Sequence, residues 1–360
     1  MKRPLDDCDH QRTHEKYSND CNDYNDYNDK KLKLEYFEEA KKGTLKVSIE
    51  NIERQYRPDS PDTPEAVSAM LQKRLTDDDS TISLSSRKIS QTGWASLYGI
   101  ETSTGKEDRV CKRVMKVLNG GLWEKISQTE MSVIEEVKKH QQNGGAKHVV
   151  EILHYEHIGK MAFYLMPEYP TDLFELIQDQ EKRSFPEKMA ISLIGNVIKG
   201  ALCLHKLLKV AHRDIKLENL VYDADGKVVK IIDFGAVQPL GKPCDMGNTT
   251  KMYHAPESDV GMVSLNNGGE PYDAWTIGVT FFVMLVGRFP SEEEDIQQIR
   301  DTTNTTLQIR TITECSINDF AISEPSVQIL RGLLQDKPED RLALESVLDI
   351  VYNNLSVECQ

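Results

Sequence analysis

The sequence predicts an α+β fold of two lobes, a small strand-rich lobe followed by a larger helical lobe. Apolar and polar residues alternate at 95–100, 113–118 and 162–166, a pattern typical of strands. Beyond Phe174 the apolar spacing becomes helical, most clearly over 187–208. At 360 residues the chain has room for one large enzyme domain and a tail.

The individual elements follow from local signals. Between the second and third strands, Met131, Ile134 and Val137 recur at helical spacing, so a helix is predicted over 128–140. Later, two short apolar runs at 220–222 and 228–232 predict a hairpin, because the Asp225-Gly226 pair between them is a favoured turn.

Residues 1–80 are predicted to be a mostly disordered acidic tail. The first thirty residues hold seven aspartates and four asparagines but only two aliphatic side chains, Met1 and Leu5. Such a segment cannot bury enough apolar area to offset the entropy lost on ordering. One short helix is expected around 64–75. The tyrosines at 18–31 leave open a docking or phosphorylation motif, and with it a tail-binding partner.

Composition excludes several classes of protein. The formal net charge of −14 argues against a nucleic-acid-binding protein with a basic surface. No apolar run approaches the roughly 18 residues of a membrane span, and the N-terminus lacks the apolar stretch of a signal peptide. Seven scattered cysteines without a CxxC pair indicate a reducing compartment, so a cytoplasmic or nuclear location, or both, is expected.

Three motifs carry the strongest chemical signal. His-Arg-Asp at 212–214 is followed by Asn219, then by Asp-Phe-Gly at 233–235 and by Ala-Pro-Glu at 255–257. In this order and spacing the chain resembles the eukaryotic protein kinase family over residues 87–352. The resemblance implies the two-lobed protein kinase fold over 85–354, with the N-lobe at 85–169 and the C-lobe at 170–354.

The resemblance implies ATP-dependent phosphoryl transfer with Mg²⁺. Metal binding needs oxygen ligands, which Asn219 and Asp233 would supply. Asp214 would accept or orient the proton of the substrate hydroxyl. Lys216 would neutralise the charge that builds on the transferred phosphate.

A lysine on a strand of the small lobe should bind the ATP phosphates. Lys116 matches the family pattern, although Lys112 lies only four residues away. The carboxylate that pairs with this lysine should come from the following helix. Glu130 fits the family spacing better than Glu135 or Glu136.

The glycine-rich loop departs from the family. The family pattern G-x-G-x-x-G falls on 90–95, and all three glycine positions are replaced. Because glycine allows close approach of the backbone to phosphate, ATP binding could be weakened, and a pseudokinase scaffold is the main alternative to an active enzyme. The residues expected around the nucleotide here are Ile89, Ser90, Thr92, Gly93, Ala95 and Leu97.

The segment between the lobes is expected to bind adenine through its backbone. By resemblance the carbonyl belongs to Glu168, with Pro167 in the gatekeeper position, and the N–H should come from Pro170, which has none. The missing bond resembles the Pim-type branch of the calmodulin-kinase-like group. A shift of one residue would change this interpretation. Asp172 follows, beside nucleotide and substrate.

The type of kinase can also be predicted. Lys216 resembles the serine/threonine class, and Thr250 matches the threonine that binds Asp214 and Lys216 there. Glu257 and Arg341 match the family's buried ion pair, and Asp273 matches the residue that braces the catalytic loop. A small-molecule kinase of related fold is a second alternative, but such enzymes usually lack the Ala-Pro-Glu segment and the helix that carries Asp273.

The expected partners are protein substrates that are basic before the target residue. Asp172 and Glu218 match two acids that hold an arginine three residues before the target in basophilic kinases. A third acid of the family, which reads the position two residues before the target, is replaced by Val283. The acidic run at 292–295 would add negative charge nearby, or else is a solvated helix start.

Overall fold

The structure is a computed structural model. It describes residues 82–91, 95–104, 107–118, 124–158, 161–180, 183–224, 226–242, 249–260, 269–291, 295–301, 307–312 and 317–356. The predicted tail and its short helix therefore lie outside the described residues, as do Thr92 and Gly93.

The small lobe is built on a five-stranded antiparallel sheet. Its strands are β1 Ile82–Gln91, β2 Ala95–Thr104, β3 Glu107–Leu118, β4 His154–Ile158 and β5 Met161–Pro167. They lie in the order β1-β2-β3-β5-β4. Register is continuous along β3 and β5, where Lys116 lies opposite Tyr164 and Val114 opposite Met166.

A single long helix, α1 (Glu124–Gln142), covers one face of this sheet. Its apolar stripe, Met131, Ile134 and Val137, is buried in the same cluster as Tyr164 and Met166 of β5. The opposite face of the sheet buries a separate cluster around Tyr98 and Met115. Because successive side chains along β3 and β5 point to opposite faces of the sheet, their alternation decides which of them face α1 and the large lobe.

The large lobe is helical and is organised around the helix α4 (Glu270–Val286). Every residue of this helix from 272 to 286 is buried, which is expected of a helix that is apolar on all sides. Its helices are α2 Leu173–Gln178, α3 Glu187–Cys203, α4 Glu270–Val286, α5 Gln297–Asp301, α6 Glu324–Leu333 and α7 Leu344–Ser356. Helix α3 continues into one π-helical turn, Leu204–Leu208.

Short strand pairs in the large lobe fix its loops. β6 (Val210–Ala211) pairs with β9 (Gln238–Pro239), and β7 (Leu220–Asp223) pairs with β8 (Val228–Ile231). The segment between β6 and β7, and the segment between β8 and β9, are thereby held side by side. A further hairpin joins β10 (Leu307–Ile312) to β11 (Ile317–Ile322).

These elements confirm the predicted α+β fold. The strand predicted at 162–166 and the hairpin at 220–232 are present within a residue or two, while the helix predicted at 128–140 extends further at its N-terminal end. The sheet begins at Ile82, before the predicted boundary at 85, because β1 pairs with β2 as far as Ile82 opposite Thr104. By length and composition alone 187–208 could cross a bilayer, but its apolar residues line the core of the large lobe.

Candidate active site

The centre of the site is a buried lysine between two carboxylates. Lys116 Nζ lies 2.7 Å from Glu130 Oε1 and 2.7 Å from Asp233 Oδ1. The three residues come from β3, α1 and the segment after β8, so the contact joins both lobes. Of the glutamates considered from sequence, the structure brings Glu130 to the lysine, whereas Glu135 pairs with His157 and Glu136 with Lys139 on the surface.

The charges of this triad support one another. Burial alone would lower the pKa of Lys116, but Asp233 and Glu130 raise it well above its ordinary value. Burial alone would raise the pKa of Asp233, but Lys116 and the Gly235 N–H hold it at about 2. Burial does raise the pKa of Glu130, which Lys116 only partly offsets. Near neutral pH, Lys116 is therefore cationic and Asp233 ionised.

Tyr164 is a member of this cluster that sequence reasoning missed. Its hydroxyl donates to Glu130 Oε1 at 2.9 Å, the oxygen that also accepts from Lys116. The strand alternation that faces Lys116 toward α1 also faces Tyr164 there, since the two residues are paired across β3 and β5. That pairing signal is not visible without the register.

Three polar side chains surround Asp214 at the catalytic loop. Its Oδ2 accepts from Asn219 Nδ2 at 3.0 Å and forms an ion pair with Lys216 Nζ, also at 3.0 Å. Its Oδ1 accepts from the Thr250 hydroxyl at 2.6 Å and the Thr250 N–H at 3.2 Å. Lys216 Nζ also donates to Thr250 Oγ1 at 2.7 Å, so the Thr250 hydroxyl links Asp214 and Lys216.

The loop is braced from below by Asp273, near the start of α4. Its carboxylate accepts the backbone N–H groups of His212 at 2.8 Å and Arg213 at 2.7 Å. His205 Nε2 lies 2.7 Å from the same carboxylate and is a second residue that the sequence did not reveal. Burial alone would raise the pKa of Asp273, but His205 and these contacts lower it.

Two site residues have strained backbones. Arg213 (φ 68°) and Asp233 (φ 64°) lie in the left-handed region that non-glycine residues rarely adopt. Arg213 is held by Gln238 Oε1 at 3.0 Å in addition to Asp273, and the Asp233 carboxylate accepts from Gly235 N–H at 3.0 Å. Surrounding hydrogen bonds thus maintain both conformations.

The residues predicted to bind Mg²⁺ have suitable donor atoms. Ile232 N–H donates to the Asn219 carbonyl at 3.0 Å, which ties the segment of Asp233 to the loop of Asn219. With its Nδ2 donating to Asp214, the Asn219 amide directs its oxygen elsewhere, and an amide oxygen with a carboxylate suits Mg²⁺. In the described part of the chain no group of three His, Cys, Asp or Glu side chains that could hold a metal ion is found.

Glu257 and Arg341 form a second, structural ion pair. Arg341 binds Glu257 through both terminal nitrogens, at 2.7 and 2.5 Å. Its guanidinium lies 5.1 Å from the ring centre of Trp275 on α4. The segment after Thr250 is thereby fixed to the core of the large lobe.

The strand register favours adenine contacts one residue before those predicted for the hinge. Glu168 N–H donates to the Lys112 carbonyl at 3.2 Å, so the backbone N–H of Glu168 is directed at β3 and not at the cleft. Because backbone groups alternate along an antiparallel pair, the Pro167 carbonyl and the Tyr169 N–H are directed away from β3. Met166, not Pro167, faces the same side as Lys116, since it lies two residues from Tyr164 on β5.

The other predicted nucleotide residues lie on β1 and β2. Ile89 falls at a register shift between Lys88 and Ser90, and Leu97 lies opposite Lys116. Ala95 is buried on the side of the sheet that faces α1.

The predicted substrate acids lie at the edge of the large lobe. Asp172 caps α2, its Oδ1 accepting from Glu175 N–H at 2.8 Å. Glu218 lies in a single turn, Leu217–Asn219, next to the catalytic loop. In the acidic run, Asp295 is not a solvated charge, because it binds Arg288 at 2.5 and 2.9 Å; residues 292–294 lie outside the described residues.

Comparison with known proteins gives a consistent result. A family model described as a protein kinase domain matches residues 99–353. Serine/threonine-protein kinase PLK4 of Drosophila grimshawi is 32% identical over 184 residues, covering 49% of this chain and 22% of that protein. Ribosomal protein S6 kinase alpha-4 of Homo sapiens is 30% identical over 204 residues, covering 54% of this chain and 26% of that protein. The chain therefore spans about a fifth to a quarter of the length of these relatives.

Proposed function

Because the chain belongs to the protein kinase family, we propose that it is an active serine/threonine kinase that transfers the γ-phosphate of ATP to protein substrates. The observation that carries this proposal is the joined network of Lys116, Glu130 and Asp233 with the Asp214 loop. Of the relatives named above, PLK4 is a serine/threonine-protein kinase and the other is a protein kinase, which supports the same class.

The residues would divide the chemistry as follows. When bound, MgATP supplies the phosphoryl group and the divalent charge that offsets its oxygens. Lys116 would hold phosphate oxygens, and Asn219 and Asp233 would hold the metal. Asp214 would orient the substrate hydroxyl and accept its proton, while Lys216 would offset the negative charge that develops on the transferred group.

Lys216 and Thr250 support the serine/threonine class. The Thr250 hydroxyl donates to Asp214 and accepts from Lys216, which fixes the spacing between the Asp214 carboxylate and the Lys216 ammonium. Their cluster is largely buried, with exposed fractions of 14% for the Asp214 side chain and 18% for that of Lys216. The charges therefore act where water screens them little.

A pseudokinase scaffold remains the alternative, and its basis is the loss of the three loop glycines at 90, 92 and 95. We infer that the hinge offers adenine the N–H of Tyr169 and not position 170, where proline has none. The bond from the Glu168 N–H to the Lys112 carbonyl supports this register.

The deciding experiment measures phosphate transfer to a degenerate peptide library with purified wild-type protein and with Asp233→Asn. We expect turnover in the wild type and none above background in the variant, since no neighbouring group replaces the lost negative charge. Circular dichroism should show that the variant is folded. A wild type without turnover supports the scaffold, and equal non-zero turnover in both contradicts the site.

Basic residues before the target are proposed as the substrate preference. Asp172 caps α2 and Glu218 lies in the turn Leu217–Asn219, and each carboxylate could bind a guanidinium by charge-assisted bonds. We expect replacement of arginine by alanine at minus three to lower kcat/KM, and much less at minus two. Glu218→Ala should abolish that difference, and Glu175→Ala, a change to an exposed acid on α2, should not.

A further inference from the structure

Tyr164 is buried in β5 at a point that the family motifs do not mark. Its exposed fraction is 1%, and its strand partner across the β3–β5 ladder is Lys116. Side chains of paired residues lie on the same face of a sheet, with Cβ atoms about 5 Å apart. The tyrosine ring and the lysine chain therefore project side by side toward α1.

Both side chains end at one atom of Glu130. Lys116 Nζ donates to Oε1 at 2.7 Å, and Tyr164 OH donates to the same Oε1 at 2.9 Å. The other oxygen, Oε2, is buried and has no hydrogen-bond partner among the described residues. All of the hydrogen bonding found for this carboxylate is thus concentrated on one oxygen, shared between a charged donor and a neutral donor.

We propose that Tyr164 is a positioning residue for phosphoryl transfer: its hydroxyl holds Glu130, and with it α1, in the orientation that places Lys116 against Asp233. The inference rests on the proposed kinase function. Without the hydroxyl, Lys116 alone would fix Glu130, and a lysine shared with Asp233 can leave one acid for the other.

The state of the hydroxyl fits this role. Burial, and after it the charge of Glu130, raises the pKa of Tyr164 well above its ordinary value. Tyr164 therefore stays protonated near neutral pH and remains a hydrogen-bond donor to Glu130. A buried carboxylate that loses a donor is left under-solvated, which is more costly than the loss of a surface bond.

Tyr164 complements a separate attachment at the other end of α1. The Gln141 side chain bonds to the backbone of the loop that follows α1. Its Nε2 donates to the Val150 carbonyl at 2.7 Å and its Oε1 accepts from Ile152 N–H at 3.0 Å. Lys138 donates to the Ile152 carbonyl at 2.6 Å. These contacts fix the C-terminal part of the helix, whereas Glu130 lies in the N-terminal part and is fixed through Tyr164 and Lys116.

The test is a double-mutant cycle read by hydrogen exchange of the nucleotide-free full chain. Tyr164→Phe should increase amide exchange around Glu130 about tenfold, a lower-end value for one hydrogen bond to a charged group. The same change made in Glu130→Met should alter exchange less than about twofold, because its target is absent. Tyr98→Phe, which removes a buried hydroxyl on the other face of the sheet, should leave α1 unchanged.

Kinetics supply the second readout. Tyr164→Phe should lower kcat/KM for ATP about tenfold while the KM for peptide stays within twofold. Tyr164→Met, a second apolar replacement, should behave alike and serves if the phenylalanine variant does not fold. Unchanged exchange in Tyr164→Phe, an effect of equal size in Glu130→Met, or an unchanged kcat/KM for ATP in an active enzyme overturns the proposal. If the wild type transfers no phosphate, the proposed function fails, and the exchange cycle still decides whether Tyr164 holds Glu130.

Discussion

The hydroxyl of Thr250 does two tasks that no other described side chain performs at the catalytic loop. It donates its single proton to Asp214 Oδ1 and accepts from Lys216 Nζ, at 2.6 and 2.7 Å. A hydroxyl has one donor and two acceptor positions, so both bonds can form together. A valine of the same shape can form neither.

We therefore expect Thr250→Val to lower kcat about tenfold or more, the size of one lost bond to a charged group. KM for ATP should stay within about twofold, because Lys116 and Asp233 do not contact Thr250. Thr249→Val is the matched control, since the Thr249 hydroxyl bonds to His254 instead. Steady-state kinetics measure both; a rise in KM for ATP with unchanged kcat would contradict the assignment.

At the level of elements, the hinge shows how one strand register changes a functional prediction. The sequence alone placed Pro170 where adenine needs an N–H. On that interpretation, replacing Pro170 by alanine would tighten ATP binding. The Glu168 N–H instead bonds to the Lys112 carbonyl at the end of the β3–β5 ladder, and from alternation we infer that the Tyr169 N–H is directed away from β3.

We expect Pro170→Ala to change the Kd of an MgATP analogue less than about twofold. Tyr169→Pro, which removes the N–H now assigned to the cleft, should weaken binding about five- to tenfold. Calorimetric titration distinguishes the registers: tighter binding by Pro170→Ala would restore the interpretation made from sequence.

The link between α4 and the segment before α5 gives a pH dependence of stability. Asp295 accepts two bonds from Arg288 and one from Ser291 N–H at 2.8 Å. Burial alone would raise the pKa of Asp295, but these contacts hold it below its ordinary value of 3.8. Its contribution is therefore complete above about pH 4 and is lost as the pH falls through the folded-state pKa.

Asp295→Asn should lower Tm by about 4 °C at pH 7, since losing one charged partner costs about 2 kcal/mol in a domain of this size. The difference from the wild type should shrink below pH 4, where the wild-type carboxyl is also neutral. Thermal melts across pH measure this. Asp349→Asn, on the exposed side of α7, should show no comparable difference at either pH.

For the whole molecule, the described lobes account for the site without the acidic tail. β1 begins at Ile82 and pairs with β2 along its whole length, so a chain starting at Thr81 keeps every described element. The tail is proposed to act through a binding partner or through turnover or location, in the cytoplasm or nucleus, and not through catalysis.

The truncated chain should retain kcat/KM for peptide within about twofold of the full chain. Parallel assays of the two proteins at equal concentration test this, with melting temperatures as the control for folding. A large loss of activity with an unchanged melting temperature would show that the tail docks on the catalytic domain.

The sequence by itself determined the fold class, several of the strands and helices in their order, and the motif residues of the catalytic loop. Those features are local: periodicity is carried by neighbouring residues, and Asp214, Lys216 and Asn219 lie within six positions. Glu130 could be ranked above Glu135 and Glu136 because its position fits the spacing of the protein kinase family better.

Only the tertiary structure decided the hinge register and the roles of Tyr164 and His205. A shift of one residue along a strand exchanges its two faces and its two sets of backbone groups, and no local pattern around Pro167 fixes that shift. Tyr164 reaches Glu130 because β3, β5 and α1 meet, and His205 reaches Asp273 because α3 packs on α4. These contacts join residues 34 and 68 positions apart, a separation at which spacing along the chain carries no information about distance in space.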